Sequence, residues 1–124
     1  MKFYQCKGCG KIAILLKTSA CPTKCCGEPM VEMVPGETDA ALEKHVPVIE
    51  RTGSSVKVTV GSVEHPMLEE HHISWIVLET NQGFSQKKLA TEGKPEAMFH
   101  LAIDEEPVAA YEFCNLHGLW KAEA

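Results

Sequence analysis

The cysteines of this chain of 124 residues are distributed very unevenly. Five of the six fall within the first 26 residues, at Cys6, Cys9, Cys21, Cys25 and Cys26, and the sixth is Cys114. Six cysteines in a short chain could form a disulfide framework, but a bridge between the adjacent Cys25 and Cys26 would be strained. Closely spaced cysteines in a reducing compartment are more often metal ligands. The distribution therefore predicts a metal-binding module near the N-terminus.

A polar segment marks the end of this module. The residues from Val34 to Asp39 include Pro35 and Gly36 and have the composition of a turn or linker. We place the domain boundary there, with one domain over residues 1–36 and a second over residues 37–124. A segment as short as the first buries too little apolar area to fold unaided. It needs a metal, a partner or both, and its cysteines supply ligands for a metal.

The second domain has a pattern that is mainly that of β-strands, either with alternating apolar and polar side chains or with β-branched and aromatic runs. Four segments have this pattern: residues 56–60, 73–79, 97–103 and 108–113. Short strands at this spacing predict a β-sandwich. One short helical turn is predicted over residues 39–44, with Thr38 or Asp39 as its N-cap.

Composition and charge exclude several classes of function. The hydrophobic content of 44% and the charged content of 23% are ordinary for a globular protein. No apolar run approaches the ~18 residues of a membrane span, and no secretory signal is evident, so we expect a cytoplasmic protein without a membrane partner. Twelve basic and seventeen acidic residues give a net charge of -5, and the basic residues are scattered. We therefore expect no nucleic-acid partner.

Four of the N-terminal cysteines form two close pairs. In the first pair, Cys6 and Cys9 flank Lys7 and Gly8, and the glycine allows a tight turn in which both thiolates reach one metal. In the second pair, adjacent cysteines of an extended strand would point to opposite faces. Both can bind the same ion only if the backbone bends sharply near the following Gly27.

The identity of the metal at this site depends on the coordination chemistry. Four thiolates in a tetrahedron suit both zinc and iron. Ordinary zinc ribbons repeat the CxxC spacing twice, and the Cys25–Cys26 pair departs from that pattern, which favours iron. Cys21 would be a fifth sulfur at a site that needs four. We expect it to be a free structural thiol that packs as a small hydrophobic group.

A second group of candidate ligands lies in the other domain. Five of the six histidines have polar neighbours and lie close to proline, glycine or another histidine: His45, His65, His71, His72 and His117. Cys114 and His117, three residues apart, can bind one metal together, and Gly118 relieves the turn that follows.

Two further histidine assignments rest on strand geometry. His71 and His72 are adjacent, and only one of them can face a metal from an extended chain. We select His71 as the ligand because it lies on the loop side, whereas His72 begins the predicted strand. His100 lies within an apolar strand-like run and is expected to be structural.

Four neutral imidazoles and one thiolate form a set that suits iron better than zinc, which prefers four ligands in a tetrahedron. Around ferrous iron the set has a net charge of +1, which attracts a small anion despite the acidic chain. Five ligands leave one coordination position open. The electron-rich thiolate can donate density through the iron, as an axial cysteine does in some haem enzymes.

In these residues the chain resembles the desulfoferrodoxin family, the two-iron class of superoxide reductases. The four paired cysteines resemble the desulforedoxin-like iron motif, and residues 43–50, 61–67 and 111–121 resemble segments of the catalytic domain. The resemblance covers nearly the whole chain. It implies a desulforedoxin-like module followed by an immunoglobulin-like β-sandwich, in a homodimer that receives electrons from rubredoxin or a similar small redox protein. Cys21 departs from the family motif, which does not need it.

The resemblance also implies roles for individual residues. The equatorial ligands of the catalytic iron would be His45, His65, His71 and His117, and the axial ligand would be Cys114. Glu43 would be the carboxylate that occupies the sixth position of oxidised iron, and Lys44 would be the cation near the open position. Without the resemblance, Glu43 and Lys44 would be interpreted as an exposed charge pair.

The sequence thus predicts an enzyme with two iron ions that reduces superoxide to hydrogen peroxide without releasing dioxygen. An alternative is an electron carrier in which both irons only pass electrons, although the open coordination position argues against it. A further alternative is a binding module stabilised by zinc at the four cysteines, in which the histidine group would have no role.

Overall fold

The computed structural model describes residues 1–124 and divides them into two compact units, Met1–Val34 and Pro35–Ala124. These are called unit 1 and unit 2 below. The division falls two residues before the boundary that the sequence suggests. Each unit has its own sheets, and each is described by itself.

Unit 1 consists of short strands with almost no apolar core. Its strands are β1 (Phe3–Gln5), β2 (Ile12–Ile14), β3 (Lys24–Cys25), β4 (Glu28–Pro29) and β5 (Val31–Glu32). Antiparallel pairing gives a three-stranded sheet in the order β2-β1-β5 and a separate β3-β4 hairpin. Phe3 and Cys6 are the only buried hydrophobic side chains among these residues. Apolar burial alone therefore cannot account for the folding of this unit.

Unit 2 contains one short helix and seven strands. These elements are α1 (Leu42–His45), β6 (Pro47–Thr52), β7 (Ser55–Val60), β8 (Ile73–Thr80), β9 (Gly83–Lys88), β10 (Glu96–His100), β11 (Pro107–Cys114) and β12 (Gly118–Glu123). They form a three-stranded sheet in the order β10-β7-β6 and a four-stranded sheet in the order β12-β11-β8-β9, both antiparallel. No helix is long and apolar enough to cross a membrane.

The core of unit 2 lies between its two sheets. Strand β7 alternates as its sequence predicts, with Val56, Val58 and Val60 fully buried. These side chains belong to one hydrophobic cluster with Ile76 of β8 and Ala110 of β11, which come from the other sheet. Side chains from two facing sheets that share one core define a β-sandwich. The predicted fold, a small metal-binding module followed by an immunoglobulin-like sandwich, is confirmed.

The helix differs from its prediction. It begins at Leu42 rather than at Asp39, and its N-cap is Ala41, which makes no side-chain capping hydrogen bond. The expectation that Thr38 or Asp39 caps it is therefore wrong. The backbone of Ala41 is still extended, at φ -65° and ψ 114°, so the helical turn cannot include the residues before it.

Three connections of unit 2 meet at one end of the sandwich. Residues 35–46 lead into β6, residues 61–72 join β7 to β8, and residues 115–117 join β11 to β12. The strand register places these ends together, because Pro47 pairs with Val60 in one sheet and Cys114 pairs with Ile73 and Gly118 in the other. These three connections carry five of the six histidines.

Candidate metal centres

The four paired cysteines of unit 1 come together in space. The sulfur atoms of Cys6, Cys9, Cys25 and Cys26 all lie within 4.8 Å of one another. The Sγ atoms of Cys9 and Cys25 are 3.7 Å apart. Cys21 lies outside this group and is exposed, with its backbone N–H donating to the Ser19 hydroxyl. Four sulfurs at these distances form the donor set of a tetrahedral metal site.

A tight turn allows adjacent cysteines to share this site. Strands β3 and β4 pair Cys25 with Glu28, so Cys26 and Gly27 form a two-residue hairpin loop. Both loop residues have positive φ, 53° for Cys26 and 78° for Gly27, as a type I′ turn requires. The reversal at Cys26 turns its side chain to the side of Cys25. It is the sharp bend that the Cys25–Cys26 pair needs.

Gly8, within the first cysteine pair, lies against the sulfurs. A Cβ atom at Gly8 would be 3.0 Å from Cβ of Cys26, 3.4 Å from its Sγ and 3.7 Å from Sγ of Cys6. A side chain there would push the two cysteine pairs apart. The backbone can approach the sulfurs this closely only because residue 8 is glycine.

The protonation of these thiols indicates that a cation belongs among them. The backbone N–H of Cys9, with help from the Cys25 thiol, lowers the pKa of Cys6 to about 6. Hydrogen bonds to Cys6 and Cys9 raise the pKa of Cys25 to about 12, and the pKa of Cys26 is also raised, first by its hydrogen bond to Cys6. Once one thiol is ionised, its neighbours resist ionisation. A bound metal cation offsets the repulsion between neighbouring thiolates, so the four cysteines fit a site in which one metal ion is bound by four thiolates.

In unit 2, four imidazoles form a square. Ring centroids are 4.8 Å apart for His45 and His65, 4.7 Å for His65 and His71, 5.2 Å for His71 and His117, and 4.8 Å for His117 and His45. Neighbouring rings are steeply inclined, at 72° to 86°. Sγ of Cys114 and one nitrogen from each ring lie within 4.8 Å of one another. The structure thus brings together all five residues that the sequence selected for this group.

Backbone carbonyls fix which nitrogen of two rings faces the centre of the square. Nδ1 of His45 lies 2.8 Å from the Ala41 carbonyl, and Nδ1 of His65 lies 2.7 Å from the Pro66 carbonyl. Because a carbonyl only accepts, Nδ1 carries the proton in both rings, and Nε2 keeps its lone pair. This is the arrangement in which metal-binding histidines are oriented by a second hydrogen bond.

The inward nitrogens have the environment of metal ligands. Nε2 of His65 and Nε2 of His71 are buried without a hydrogen-bond partner. Nε2 of His45 lies 3.1 Å from Nδ1 of His117. Two nitrogens that bind one metal at right angles, each at about 2.1 Å, are about 3 Å apart. These orphaned buried nitrogens and this spacing fit a single metal ion within the square.

Burial favours the neutral form of three of these imidazoles, those of His45, His65 and His71. Desolvation lowers the pKa of His65 to about 4 and also lowers the pKa of His45 and of His71. The hydrogen bonds that His45 and His65 make to backbone carbonyls act in the opposite direction but are the smaller cause. A metal therefore does not compete with protons for these rings at neutral pH.

Cys114 reaches the square from the hydrophobic core. It is fully buried, belongs to the core cluster, and places Sγ 3.7 Å from Nδ1 of His117. The register between β11 and β8 shifts between Phe113 and Cys114, so Ser74 of β8 has no partner there. Such bulges re-aim a side chain at the end of a strand. Burial raises the pKa of Cys114, so a cation is needed to hold it as a thiolate.

Two residues that sequence reasoning did not single out hold the site loops in place. Asn115 accepts a hydrogen bond from the backbone N–H of His72 and donates one to the Glu70 carbonyl. Trp120 stacks on His45 at 4.9 Å, and its Nε1 donates to the His117 carbonyl. The signal was present in the sequence, since Asn115 lies within the Cys114–His117 segment and Trp120 follows it by three residues.

Glu112 is a further residue that the sequence reasoning missed. It is fully buried, and neither carboxyl oxygen has a hydrogen-bond partner. Burial raises its pKa to about 9, so it is neutral at pH 7. An acidic residue two positions before Cys114 on the same strand was the available signal.

The remaining predicted residues lie around or away from the square. Glu43 and Lys44 are exposed on α1, immediately before His45. Nδ1 of His72 lies 3.0 Å from the carbonyls of both Leu68 and Glu69, so this ring is outside the square. His100 is exposed on β10, and its Nδ1 lies 3.3 Å from the Ser55 hydroxyl.

Comparison with known proteins identifies the class of protein to which this fold belongs. The family model for desulfoferrodoxin matches residues 37–123. A desulfoferrodoxin from Nitratidesulfovibrio vulgaris is 52% identical over 124 residues, which cover 99% of this chain and 96% of the relative. A relative from Pyrococcus horikoshii named superoxide reductase is 38% identical over 99 residues, which cover 65% of this chain and 85% of the relative.

Solved structures agree with this class. The superoxide reductase from Treponema pallidum is similar with a TM-score of 0.83 at 39% identity, over 99% of this chain and 100% of that one. The superoxide reductase from Giardia intestinalis, described as the 1Fe form, is similar with a TM-score of 0.57 at 31% identity, over 66% of this chain and 97% of its own. Proteins with that name are oxidoreductases. The chain belongs to the desulfoferrodoxin family.

Proposed function

We propose that this protein is a superoxide reductase, which converts superoxide to hydrogen peroxide at an iron ion held in unit 2. The observation that carries the proposal is the convergence of five donor atoms, four imidazole nitrogens in a square and one buried cysteine sulfur. Membership of the desulfoferrodoxin family and the names of the relatives support the same function.

The ligands in this proposal are Nε2 of His45, His65 and His71, Nδ1 of His117, and Sγ of Cys114. A ferrous ion held by these donors would supply the one electron that the reduction of superoxide requires, and the conversion to hydrogen peroxide consumes two protons. A metal held by these five donors would still have room to bind a small anion. Zinc prefers four ligands, so it would leave one of these five donors unused. Zinc also supplies no electron for the reduction.

Cys114 is the residue that tunes this chemistry. Its sulfur is fully buried within the core, so the negative charge of the thiolate is poorly screened by water and is compensated chiefly by the metal. The thiolate therefore acts as a strong electron donor from the protein side of the site.

Lys44 and Glu43 act at the solvent side. They are the two residues before His45, so the chain holds them close to the proposed metal site. In our proposal the Lys44 ammonium attracts superoxide to the site, and the Glu43 carboxylate would bind the oxidised metal when no substrate is present. Both side chains are exposed and are therefore free to move.

The four cysteines of unit 1 hold a second iron in this proposal, which makes residues 1–36 the four-cysteine iron domain and residues 37–124 the catalytic domain. The Cys25–Cys26 turn, which departs from a zinc ribbon, supports iron at this site. We further propose that the protein works as a homodimer in the cytoplasm and that a rubredoxin-like protein returns one electron after each turnover.

Metal substitution tests the proposal. Protein refolded with iron, with zinc, or with no metal is mixed with superoxide generated by pulse radiolysis, and the decay of superoxide absorbance is followed. The proposal requires that iron-loaded protein accelerates the decay and that zinc-loaded protein does not. Equal decay in the iron and zinc samples would contradict it. Metal analysis of the protein made with ample iron should find about two irons per chain, one for each donor set.

A further inference from the structure

One hydrogen bond in the connection between β7 and β8 has a sulfur atom as its acceptor. The backbone N–H of Ile73 donates to Sδ of Met67 at 3.4 Å. Ile73 is fully buried, so its N–H is out of reach of water and needs a partner within the protein. A thioether sulfur is a weak acceptor, and it is also the part of a methionine that oxidants attack. This contact is therefore sensitive to oxidation.

The contact lies between two of the proposed metal ligands. Met67 follows His65 by two residues. Ile73 follows His71 by two residues. The turn between them is closed by two backbone hydrogen bonds, in which Leu68 and His71 each donate to the carbonyl of the other, at 2.9 Å and 3.2 Å. The contact between Met67 and Ile73 is the next link outside this pair, so it joins the two sides of a loop that carries one histidine on each side.

The Met67 side chain is also held by the hydrophobic core. It is half-buried and packs against the cluster that includes Cys114. Its sulfur thus lies between the core and the N–H that it accepts from. Met67 is the only methionine in the three connections that carry the square, residues 35–46, 61–72 and 115–117. Among the five methionines of the chain, it is the one most directly tied to the proposed ligands.

Hydrogen peroxide, the product of the proposed reaction, is an oxidant for this sulfur. A lone pair of Sδ attacks one oxygen of the peroxide, the O–O bond breaks as the S–O bond forms, and the other oxygen leaves as water with both hydrogens. The sulfur loses two electrons and becomes a sulfoxide. Methionine sulfoxide is polar and disrupts the packing of the side chain, and methionine sulfoxide reductases convert it back.

The added oxygen does not fit the loop as it stands. An accepting oxygen lies about 2.9 Å from its donor nitrogen. The sulfur itself is only 3.4 Å from the Ile73 nitrogen, so an oxygen placed between them pushes the sulfur away from Ile73. An oxygen on the opposite side places a polar atom against the core, which is unfavourable. Both arrangements displace Met67 and disturb the loop that carries His65 and His71.

We propose that Met67 is an oxidation site for hydrogen peroxide and that its sulfoxide reversibly weakens metal binding at the histidine square. This inference rests on the proposed function, which produces hydrogen peroxide at the square. Peroxide that accumulates faster than it is removed thereby switches the protein off, and reduction of the sulfoxide switches it on again.

The test treats iron-loaded protein, in its oxidised form, with added hydrogen peroxide. Peptide mass spectrometry follows the gain of one oxygen at each methionine, and the visible spectrum follows the iron of each centre. Met67 sulfoxide should form, and the affinity of the square for iron should fall by about tenfold or more, the scale of changes to groups that orient metal ligands. Methionine sulfoxide reductase does not repair oxidised cysteine, so iron binding that returns after this treatment assigns the effect to methionine.

A matched pair of variants assigns the effect to one methionine. Met67→Leu nearly conserves the side-chain volume but cannot form a sulfoxide, so it should keep its iron in peroxide. Met98→Leu removes a methionine that is 47% exposed on β10, and this variant should lose iron as the unmodified protein does. The repair experiment uses the unmodified protein, so it does not depend on how the variants fold.

Three results would each overturn the proposal. These are loss of iron from Met67→Leu at the rate of the unmodified protein, no sulfoxide at Met67 under conditions that oxidise Met98, and iron binding that does not return when Met67 is repaired. Added peroxide takes the place of the reaction product, so these results do not depend on superoxide reduction. The decay of superoxide reports on the proposed function separately.

Discussion

The two candidate metal centres depend on their surroundings in opposite ways. Unit 1 has only two buried hydrophobic side chains, and the four sulfurs are the feature that ties its short strands together. Unit 2 buries the other fifteen of the seventeen buried hydrophobic side chains and places its square on loops at the end of a complete sandwich. We therefore expect unit 1 to need its metal in order to fold. Unit 2 has a hydrophobic core of its own, and this core holds the residues of its metal site in place.

This difference teaches where a reactive site can be built. Cys9 and Cys26 are exposed, and a four-thiolate site is filled by its own ligands, so it has no position for a substrate. His45, His65 and Cys114 are buried, and their inward atoms are fixed by backbone hydrogen bonds and by the core. A rigid scaffold can hold an incomplete coordination sphere, which is what a substrate needs.

Removal of the metal should produce the largest contrast between the units. A structural metal of this kind contributes about 10–16 kcal/mol of folding free energy in zinc-finger peptides. Chelation, or Cys6→Ser, should therefore unfold unit 1 while unit 2 keeps its sheets. Hydrogen exchange measured segment by segment should show loss of protection in residues 1–34 alone. Retained protection there would mean that unit 1 folds without its metal.

Replacement of Cys114 should have the next largest effect. Cys114→Ser removes the electron-rich donor of the square, and even second-shell changes at metal sites cost 10–100-fold, so we expect a loss of about a hundredfold or more in superoxide reduction. The visible spectrum of the four-cysteine centre should stay intact, since it lies in the other unit. Near-normal activity in this variant would refute the role of the thiolate.

The adjacent histidines provide a sharper comparison within unit 2. His71→Ala removes a buried nitrogen that has no hydrogen-bond partner and that we propose binds the metal, so iron or activity should be lost. His72→Ala removes contacts to the carbonyls of Leu68 and Glu69, and its effect on activity should be small. Iron content and superoxide decay rates of the two variants show which of the two histidines binds the metal. The reverse order of effects would show that the ring inside the square is not the ligand.

The smallest predicted effects concern the exposed pair before His45. Lys44→Ala should lower the second-order rate with superoxide by about tenfold, because its ammonium is a local cation in an acidic chain and steers the anion, and raised salt should shrink the difference. Glu43→Ala should spare this encounter and instead change the visible spectrum of the oxidised protein. Pulse-radiolysis rates over a salt series provide the measurement. A Lys44→Ala rate equal to that of the unmodified protein at low salt would exclude steering.

The elements of the fold that could be predicted are those with a buried face. The alternation over residues 56–60 and the apolar runs over residues 73–79 and 108–113 correspond to β7, β8 and β11, which form the core. Strand β9 was not predicted because all six of its residues are exposed and polar side chains dominate it. It is a strand only because it pairs with β8 at the sheet edge. The strands of unit 1 are two or three residues long, too short for any period to appear.

The candidate site was more predictable than the fold. Ligand types and their spacing are local features of the sequence. The bend at Cys26 could also be predicted, because Gly27 follows it directly. The orienting contacts are different, because they join residues far apart in the chain: Trp120 stacks on His45, and Asn115 bonds to the loop that carries His71.

The stoichiometry of the reaction tests the central claim most directly. Iron-loaded protein supplied with a chemical reductant and a known amount of superoxide should yield an equal amount of hydrogen peroxide, because each superoxide takes its electron from the iron, and no dioxygen should be released. Release of dioxygen, with half as much hydrogen peroxide as superoxide consumed, would mean that the centre dismutates superoxide and would contradict the assignment as a reductase.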